Sequence, residues 1–459
     1  MRDNRFGLPG DSGQTYRRER IHTMILIQNG LIVDPKAKKQ YVADILLDEG
    51  RIRCIGEHLA ESLRSGVCES GQTEITVIDA TRKTVLPGLI DVHTHFRDPG
   101  FTYKEDIETG SRAAAKGGYT TVVMMANTKP SIDNADTLHY VLEKGASTDI
   151  RVESCAAISA GLKGQELVLM EKLRAEGAAG FTDDGIPLMD AELLREACRR
   201  TAAMKVPISL HEEDPSLITN NGVNRGRASE YYGIGGSPAE AETSLVARDI
   251  RIAAETGAIL NIQHVSAGAT VELIREAKKT NPHLHAEACP HHFTLTEEDV
   301  IRYGTLAKMN PPLRTEADRQ SVIAGILDGT LDLIATDHAP HSTEEKQRPI
   351  TEAPSGIIGL ETALSLAFGE LVCKAGMSRI ALAERMSYTP ARMYGFACRG
   401  YVQEGALADL VIFDEKSTWI AGNYVSKAEN SPYTGQKMQG CIEYTICDGK
   451  IVYCRQNAR

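Results

Sequence analysis

Six residues of metal-ligating type follow apolar runs: His93 and His95 after "GLIDV", Asp184 after "AAGFTD", His211 after "VPISL", His264 after "AILNIQ" and Asp337 after "LDLIAT". In a strand, residues i and i+2 point to the same side, so the pair at 93 and 95 presents two imidazoles to one place. Taken singly, each histidine reads more readily as a hydrogen-bonded core residue than as a ligand. Four imidazoles and two carboxylates at the ends of five such runs have no packing rationale. That donor set suits a borderline divalent ion, above all zinc. A carboxylate can bridge two ions, so the expectation is a pair of metals about 3.5–4 Å apart.

The runs belong to a longer alternation. Strand candidates fall at 87–93, 118–126, 150–158, 178–184, 206–211, 258–264, 283–288 and 331–337, separated by helix-period segments such as "DAELLREACRRTAAM" and "AEAETSLVARDIRIAAETG". Eight strands alternating with helices predict an α/β fold, a (β/α)8 TIM barrel over 86–396, with its chemistry at the C-terminal ends of the strands. A doubly wound sheet is the alternative, but no G-x-G-x-x-G follows the first strand. The flanking pieces, 24–85 and 397–459, are β-rich, with turns between apolar runs in "LLDEGRIRCI" and "ICDGKIVY". Each alone would bury little core, so they are expected to fold together as one small composite β-sandwich. Residues 1–23 hold no apolar stretch of the secretory kind and are expected to form a disordered leader.

Composition narrows the partners. Lys plus Arg total 51 against 62 Asp plus Glu, a net charge of −11, and there is one Trp. An acidic chain without a basic block or a stacking surface argues against nucleic acid and anionic membrane as partners. No apolar run is long enough to span a bilayer. Ten cysteines without a C-x-x-C read as reduced thiols, which predicts a cytoplasmic location.

The motifs "DVHTHFRDPGFTYKEDIETGS", "FTDDG", "HEED", "NIQHVS", "MNPPLR" and "ATDHAPHS" resemble those of the amidohydrolase superfamily. Within it they resemble the class I dihydroorotases, whose metal-bridging ligand is aspartate. The likeness covers the chain after residue 23. It implies two zinc ions per subunit: His93, His95 and Asp337 on the first, His211 and His264 on the second, and Asp184 on both. It implies substrate contacts at His95, Arg97, Asn127, Asn310 and His341, with the backbone of Ser355 and Gly356 closing over a ring. Ala126 and Thr389 depart from the family pattern, where relatives usually carry proline and often asparagine; neither is a ligand.

The reaction so implied is the reversible cyclisation of N-carbamoyl-L-aspartate to L-dihydroorotate and water, in de novo pyrimidine (UMP) synthesis. A hydroxide between the ions would attack the amide carbonyl, with Asp337 as general base and then acid. Nothing resembles a nucleophile elbow or a Cys–His pair. Arg97 would grip a substrate carboxylate bidentately beside Asn127. Allantoinases typically carry "HFNEPG" in place of "HFRDPG", and hydantoinases bridge their metals with a carboxylated lysine; either type of cyclic amidase is the alternative. A non-catalytic scaffold for aspartate transcarbamoylase is a third reading, disfavoured because all six ligands are kept. The resemblance also implies a homodimer and admits association with aspartate transcarbamoylase. "HEED" is expected to be a solvated acidic loop. His283, His285, His291 and His292 are expected in loops or in support of the site.

Overall fold

The structure, a computed structural model, describes residues 22–66 and 73–458. The expected leader lies outside them except for His22 and Thr23. Those two already belong to the first strand, because their backbone pairs with Thr73 and Glu74.

Five strands come first: β1 (His22–Asp34), β2 (Lys39–Asp48), β3 (Arg51–Gly56), β4 (Thr73–Asp79) and β5 (Thr84–Pro87). Eight follow, alternating with helices: β6 (Leu89–Thr94), β7 (Tyr119–Met124), β8 (Arg151–Ala156), β9 (Gly180–Thr182), β10 (Pro207–Leu210), β11 (Ile259–Ile262), β12 (Leu284–Ala288) and β13 (Leu333–Ile334). The last three are β14 (Leu410–Ile420), β15 (Lys437–Cys447) and β16 (Lys450–Cys454).

Strands β6 to β13 pair in chain order as one parallel sheet. The ring is drawn together where Thr94 bridges to His338 and the His95 N–H donates to the His338 carbonyl at 2.9 Å. Helices cover the outside, so both faces are buried and the strands read as continuous apolar runs; every residue of β6 and β7 is buried. Several helix starts are written into the sequence. Asp190 accepts from the N–H groups of Glu192 and Leu193, and Thr315 forms a capping box with Asp318. Each of the eight expected strands is present. Most end short of the sequence estimate; past β9, β10, β11 and β13 the residues that leave the ladder include Asp184, His211, His264 and Asp337.

The two terminal segments fold together, as expected; their strands pair in one continuous sheet ordered β16-β15-β14-β5-β1-β2-β3, with β4 on β1. Their junction is antiparallel, Val85 opposite Ile412, over a core that includes Ile27, Ile45, Val85, Leu410 and Ile412. The sheet is also bound to the barrel. Val411, Phe413 and Cys447 lie in the same apolar cluster as the barrel helices, and the Phe413 and Phe368 rings meet edge to face with centroids 5.2 Å apart.

Candidate metal and substrate site

The six candidate ligands converge at the C-terminal mouth of the barrel, all of them buried. His93 lies within β6 and His95 just beyond it; Asp184, His211, His264 and Asp337 lie one to three residues past β9, β10, β11 and β13. His264 and Asp337 hold φ of +36° and +46°, and Arg97 +58°. A non-glycine residue in that region costs roughly 1–2 kcal/mol, and such strain concentrates at functional sites.

Asp184 stands at the centre. Its Oδ1 lies 3.2 Å from His93 Nε2 and 3.7 Å from His264 Nε2, and its Oδ2 lies 3.4 Å from His95 Nε2. Asp337 Oδ1 is 3.0 Å from His95 Nε2 and 3.4 Å from His93 Nε2. His211 joins through His264, Nδ1 to Nε2 at 2.9 Å. Three overlapping triads have converging donor atoms: His93, His95 and Asp184; His93, His264 and Asp337; Asp184, His211 and His264. The fit to metal is supported by buried atoms without a hydrogen bond: His93 Nε2 and Asp184 Oδ1 face each other at 3.2 Å but are not aligned as donor and acceptor. Converging lone pairs of this kind suit a cation. Electrostatics agree. Burial by itself would lower the pKa of His93, but Asp184, Asp337 and Glu287 push it well above the ordinary value. Burial would raise Asp184, yet His93 and His264 hold it well below the usual carboxylate range.

Several supporting residues escape the sequence reading. Glu287, fully buried at the end of β12, places Oε2 2.8 Å from His93 Nδ1 and accepts from Asn261 Nδ2 through Oε1 at 2.5 Å. It fixes the ring so that Nε2 faces the two aspartates. The one available signal was a charged residue near the end of an apolar barrel strand. "HEED" is not a solvated loop throughout. Glu212 and Glu213 are buried; Glu213 lies 3.5 Å from His211 Nε2 and accepts from Ser237. Burial, with Asp249 beside it, pushes the Glu212 carboxyl well above its ordinary range. His291 and His292 are buried behind the site, with His292 Nε2 donating to the Pro311 carbonyl at 3.0 Å. His285 pairs with Asp332 at the start of β12.

The residues expected to meet substrate lie around this cluster. Asn127 Oδ1 is 2.9 Å from His95 Nδ1, while its Nδ2 donates to Asp184 Oδ2 at 3.2 Å, so its amide braces two ligands. Asn310 Nδ2 lies 3.4 Å from His211 Nε2. Arg97 donates through Nε to the Pro340 carbonyl at 3.3 Å, and its Nη2 is 3.5 Å from His341 Nε2. Among the described residues, no carboxylate forms an ion pair with this guanidinium. His341 donates through Nε2 to the Ser355 carbonyl at 2.9 Å and accepts from Lys104 Nζ at 3.2 Å. Burial, then the charges of Arg97 and Lys104, lower its pKa and keep the ring neutral. Gly356 follows in the same turn, and its polar groups are already engaged. Its N–H donates to the Lys308 carbonyl, and its C=O accepts from Lys346 and Asn430. Its φ of +152° and a clash of any Cβ with the Ala339 carbonyl at 2.6 Å require glycine there.

A cavity of about 1000 Å³ between Arg112, Lys116, Trp419 and Tyr453 lies elsewhere. Its cations are taken, Arg112 by Glu108 at 2.6 Å and Lys116 by Glu361 at 2.7 Å. Donor chemistry, not volume, marks the site.

A barrel with four imidazoles and two aspartates at its mouth defines a class, and the sequence comparison agrees: the Amidohydrolase family profile matches residues 84–452, and the chain belongs to that family. Dihydroorotases are among its relatives there. The one from Clostridioides difficile is 51% identical over 430 residues, covering 94% of this chain and 100% of the relative. Those of Clostridium acetobutylicum and Lactococcus lactis are 47% and 46% identical, each covering 94% of this chain and 99% of the relative. Among solved structures, the L-hydantoinase (dihydropyrimidinase) of Arthrobacter aurescens superposes with a TM-score of 0.81 at 24% identity, covering 93% of this chain and 95% of its own. The dihydropyrimidinase of Brevibacillus agri gives 0.80 at 24%, covering 94% and 95%. At that identity the likeness carries the fold alone.

Proposed function

We propose that this chain is a dihydroorotase, interconverting N-carbamoyl-L-aspartate with L-dihydroorotate and water in pyrimidine synthesis. The observation that carries the choice of substrate is Arg97, a guanidinium at the mouth of the metal cluster with a backbone carbonyl but, among the described residues, no carboxylate for a partner. An unpaired cation beside a hydrolytic centre is matched by a substrate that brings its own carboxylate. Names of relatives at 44–51% identity support the same reading.

His93, His95 and Asp337 would hold one zinc ion, His211 and His264 a second, and Asp184 both. Bound there, the ions supply Lewis acidity that acidifies a water and polarises an amide carbonyl. The chain does the rest. Asn127 and Glu287 set the imidazoles of His95 and His93 by hydrogen bonds to Nδ1. Arg97 holds the carboxylate, with Asn127, Asn310 and His341 around the ring. Asp337, which burial would raise but His93 and His95 hold low, is ionised at neutral pH. In hydrolysis it accepts the water proton and delivers it to the leaving ring nitrogen; in cyclisation the proton returns the same way.

In this reading residues 86–396 carry the chemistry, and 24–85 with 397–459 support it. The resemblance further supports a homodimer able to associate with aspartate transcarbamoylase. A cytoplasmic setting is supported by the nine cysteines among the described residues, all of them unpaired. No helix among the described residues is long and apolar enough to cross a membrane. The test is direct. Zinc-loaded protein should turn over L-dihydroorotate and N-carbamoyl-L-aspartate well above hydantoin and allantoin, and a preference for an uncharged ring would overturn the proposal.

A further inference from the structure

Two buried lysines outside the ligand set converge on one turn. Lys346 and Lys308 are 4% and 6% exposed, and neither forms an ion pair with a carboxylate among the described residues. Lys346 Nζ donates to the Pro354 carbonyl at 2.9 Å and to the Gly356 carbonyl at 3.0 Å. Lys308 Nζ donates to the carbonyls of Ile350 at 2.8 Å and Ala353 at 2.7 Å, and its own backbone carbonyl accepts from the Gly356 N–H at 2.9 Å. Burying two ammonium groups without a counter-charge is costly. Burial, with Lys308 nearby, pushes Lys346 down to about 7. A half-neutral amine still has two N–H donors, one for each carbonyl, so Lys346 is suited to hydrogen bonding more than to supplying charge.

The peptide plane shows what the bonds accomplish. The Pro354 C=O and the Ser355 N–H belong to one planar trans unit and point in opposite directions. Holding the oxygen therefore aims the N–H. The next unit is held at both ends, the Ser355 carbonyl by His341 Nε2 and the Gly356 N–H by the Lys308 carbonyl. Asn430 adds a third tie, donating to the Ala339 and Gly356 carbonyls. Of the polar backbone groups flanking Ser355, only its N–H is engaged by none of these contacts, and the His341 that holds its carbonyl lies 3.5 Å from Arg97.

We propose that Lys346, backed by Lys308, is a positioning residue for the reaction. It fixes the Pro354–Ser355 peptide so that the Ser355 N–H is a preset donor to an oxygen of the bound ring. The inference rests on the dihydroorotase reading and adds to it a cause for the geometry at 355. Lysine does this because its stem spans from the short helix Thr343–Lys346 to the turn with the amine as the only polar part.

The test compares zinc-loaded wild type with Lys346→Met, which keeps a stem of similar bulk and removes the donors. With metal content equal, KM for L-dihydroorotate should rise on the order of ten-fold, the worth of about one or two neutral hydrogen bonds, while kcat changes much less. Hydrogen exchange on the substrate-free proteins supplies the second readout. The amides of Ala353 and Gly356 should be protected in wild type and lose protection in Lys346→Met. Exchange unchanged by the substitution, with KM raised, would mean that Lys346 touches substrate directly and would overturn the positioning role. So would an unchanged KM. If the variant does not fold, wild-type exchange still decides, since fast exchange at 353 and 356 without substrate contradicts a preset turn. Lack of dihydroorotate turnover in wild type would strike the functional reading, whereas turnover with an unaltered KM in Lys346→Met strikes this inference alone.

Discussion

Glu287 Oε2 sits 2.8 Å from His93 Nδ1, in a pocket that excludes water from both side chains. That bond fixes which imidazole nitrogen carries the proton, and so leaves Nε2 turned toward Asp184 and Asp337. Glu287→Gln should keep the fold, because the shape is nearly unchanged, but weaken metal binding by about 10–100-fold. Competition with a chelating dye would measure it. Unaltered affinity would assign the ring's orientation to Gln263, whose Nε2 lies 3.3 Å from the same nitrogen.

Asp184 touches three of the four imidazoles, so both ions should depend on it. Asp184→Ala should lose metal and activity together, and chelation should abolish wild-type activity reversibly. Reconstitution should need no bicarbonate, since the bridge is a plain carboxylate. Two tightly held ions in Asp184→Ala, read by elemental analysis, would remove it from the bridging position.

Asp337 combines two duties that one substitution separates. Asp337→Asn keeps an oxygen near His95 but cannot accept a proton. Metal content should largely persist while turnover falls by at least about 10²-fold, the usual worth of general acid–base catalysis. Wild-type turnover in that variant would reduce Asp337 to a ligand.

Much of this arrangement is legible in the chain before it folds. The eight barrel strands announce themselves because burial on both faces makes each a short apolar run, and the ligands stand out because His or Asp at the end of such a run has nothing to pack against. The supporting residues are harder to see. Glu287 is a single charge in "LHAEA", and only the ring of strands brings it to His93. "HEED" has the composition of a solvated loop, yet Ser237 and His211 make Glu213 an interior residue. Lys308 and Lys346 bind carbonyls as far as 45 residues away, and a backbone acceptor leaves no mark in the sequence. The first strand's start at His22 was hidden for a similar reason, since its partner at Thr73 pairs by backbone.

The substrate assignment turns on Arg97, and one measurement tests it most directly: kcat/KM for L-dihydroorotate and for an uncharged cyclic amide, in zinc-loaded wild type and Arg97→Met. The substitution keeps the stem and touches no ligand, so both ions should remain bound. Loss of a charge-assisted contact to a substrate carboxylate should cost on the order of 2–5 kcal/mol on dihydroorotate and much less on the uncharged ring, and Arg97→Lys should recover only part of it. An equal loss on both substrates would contradict the assignment, because Arg97 would then be shaping the metal centre instead of selecting an acidic substrate.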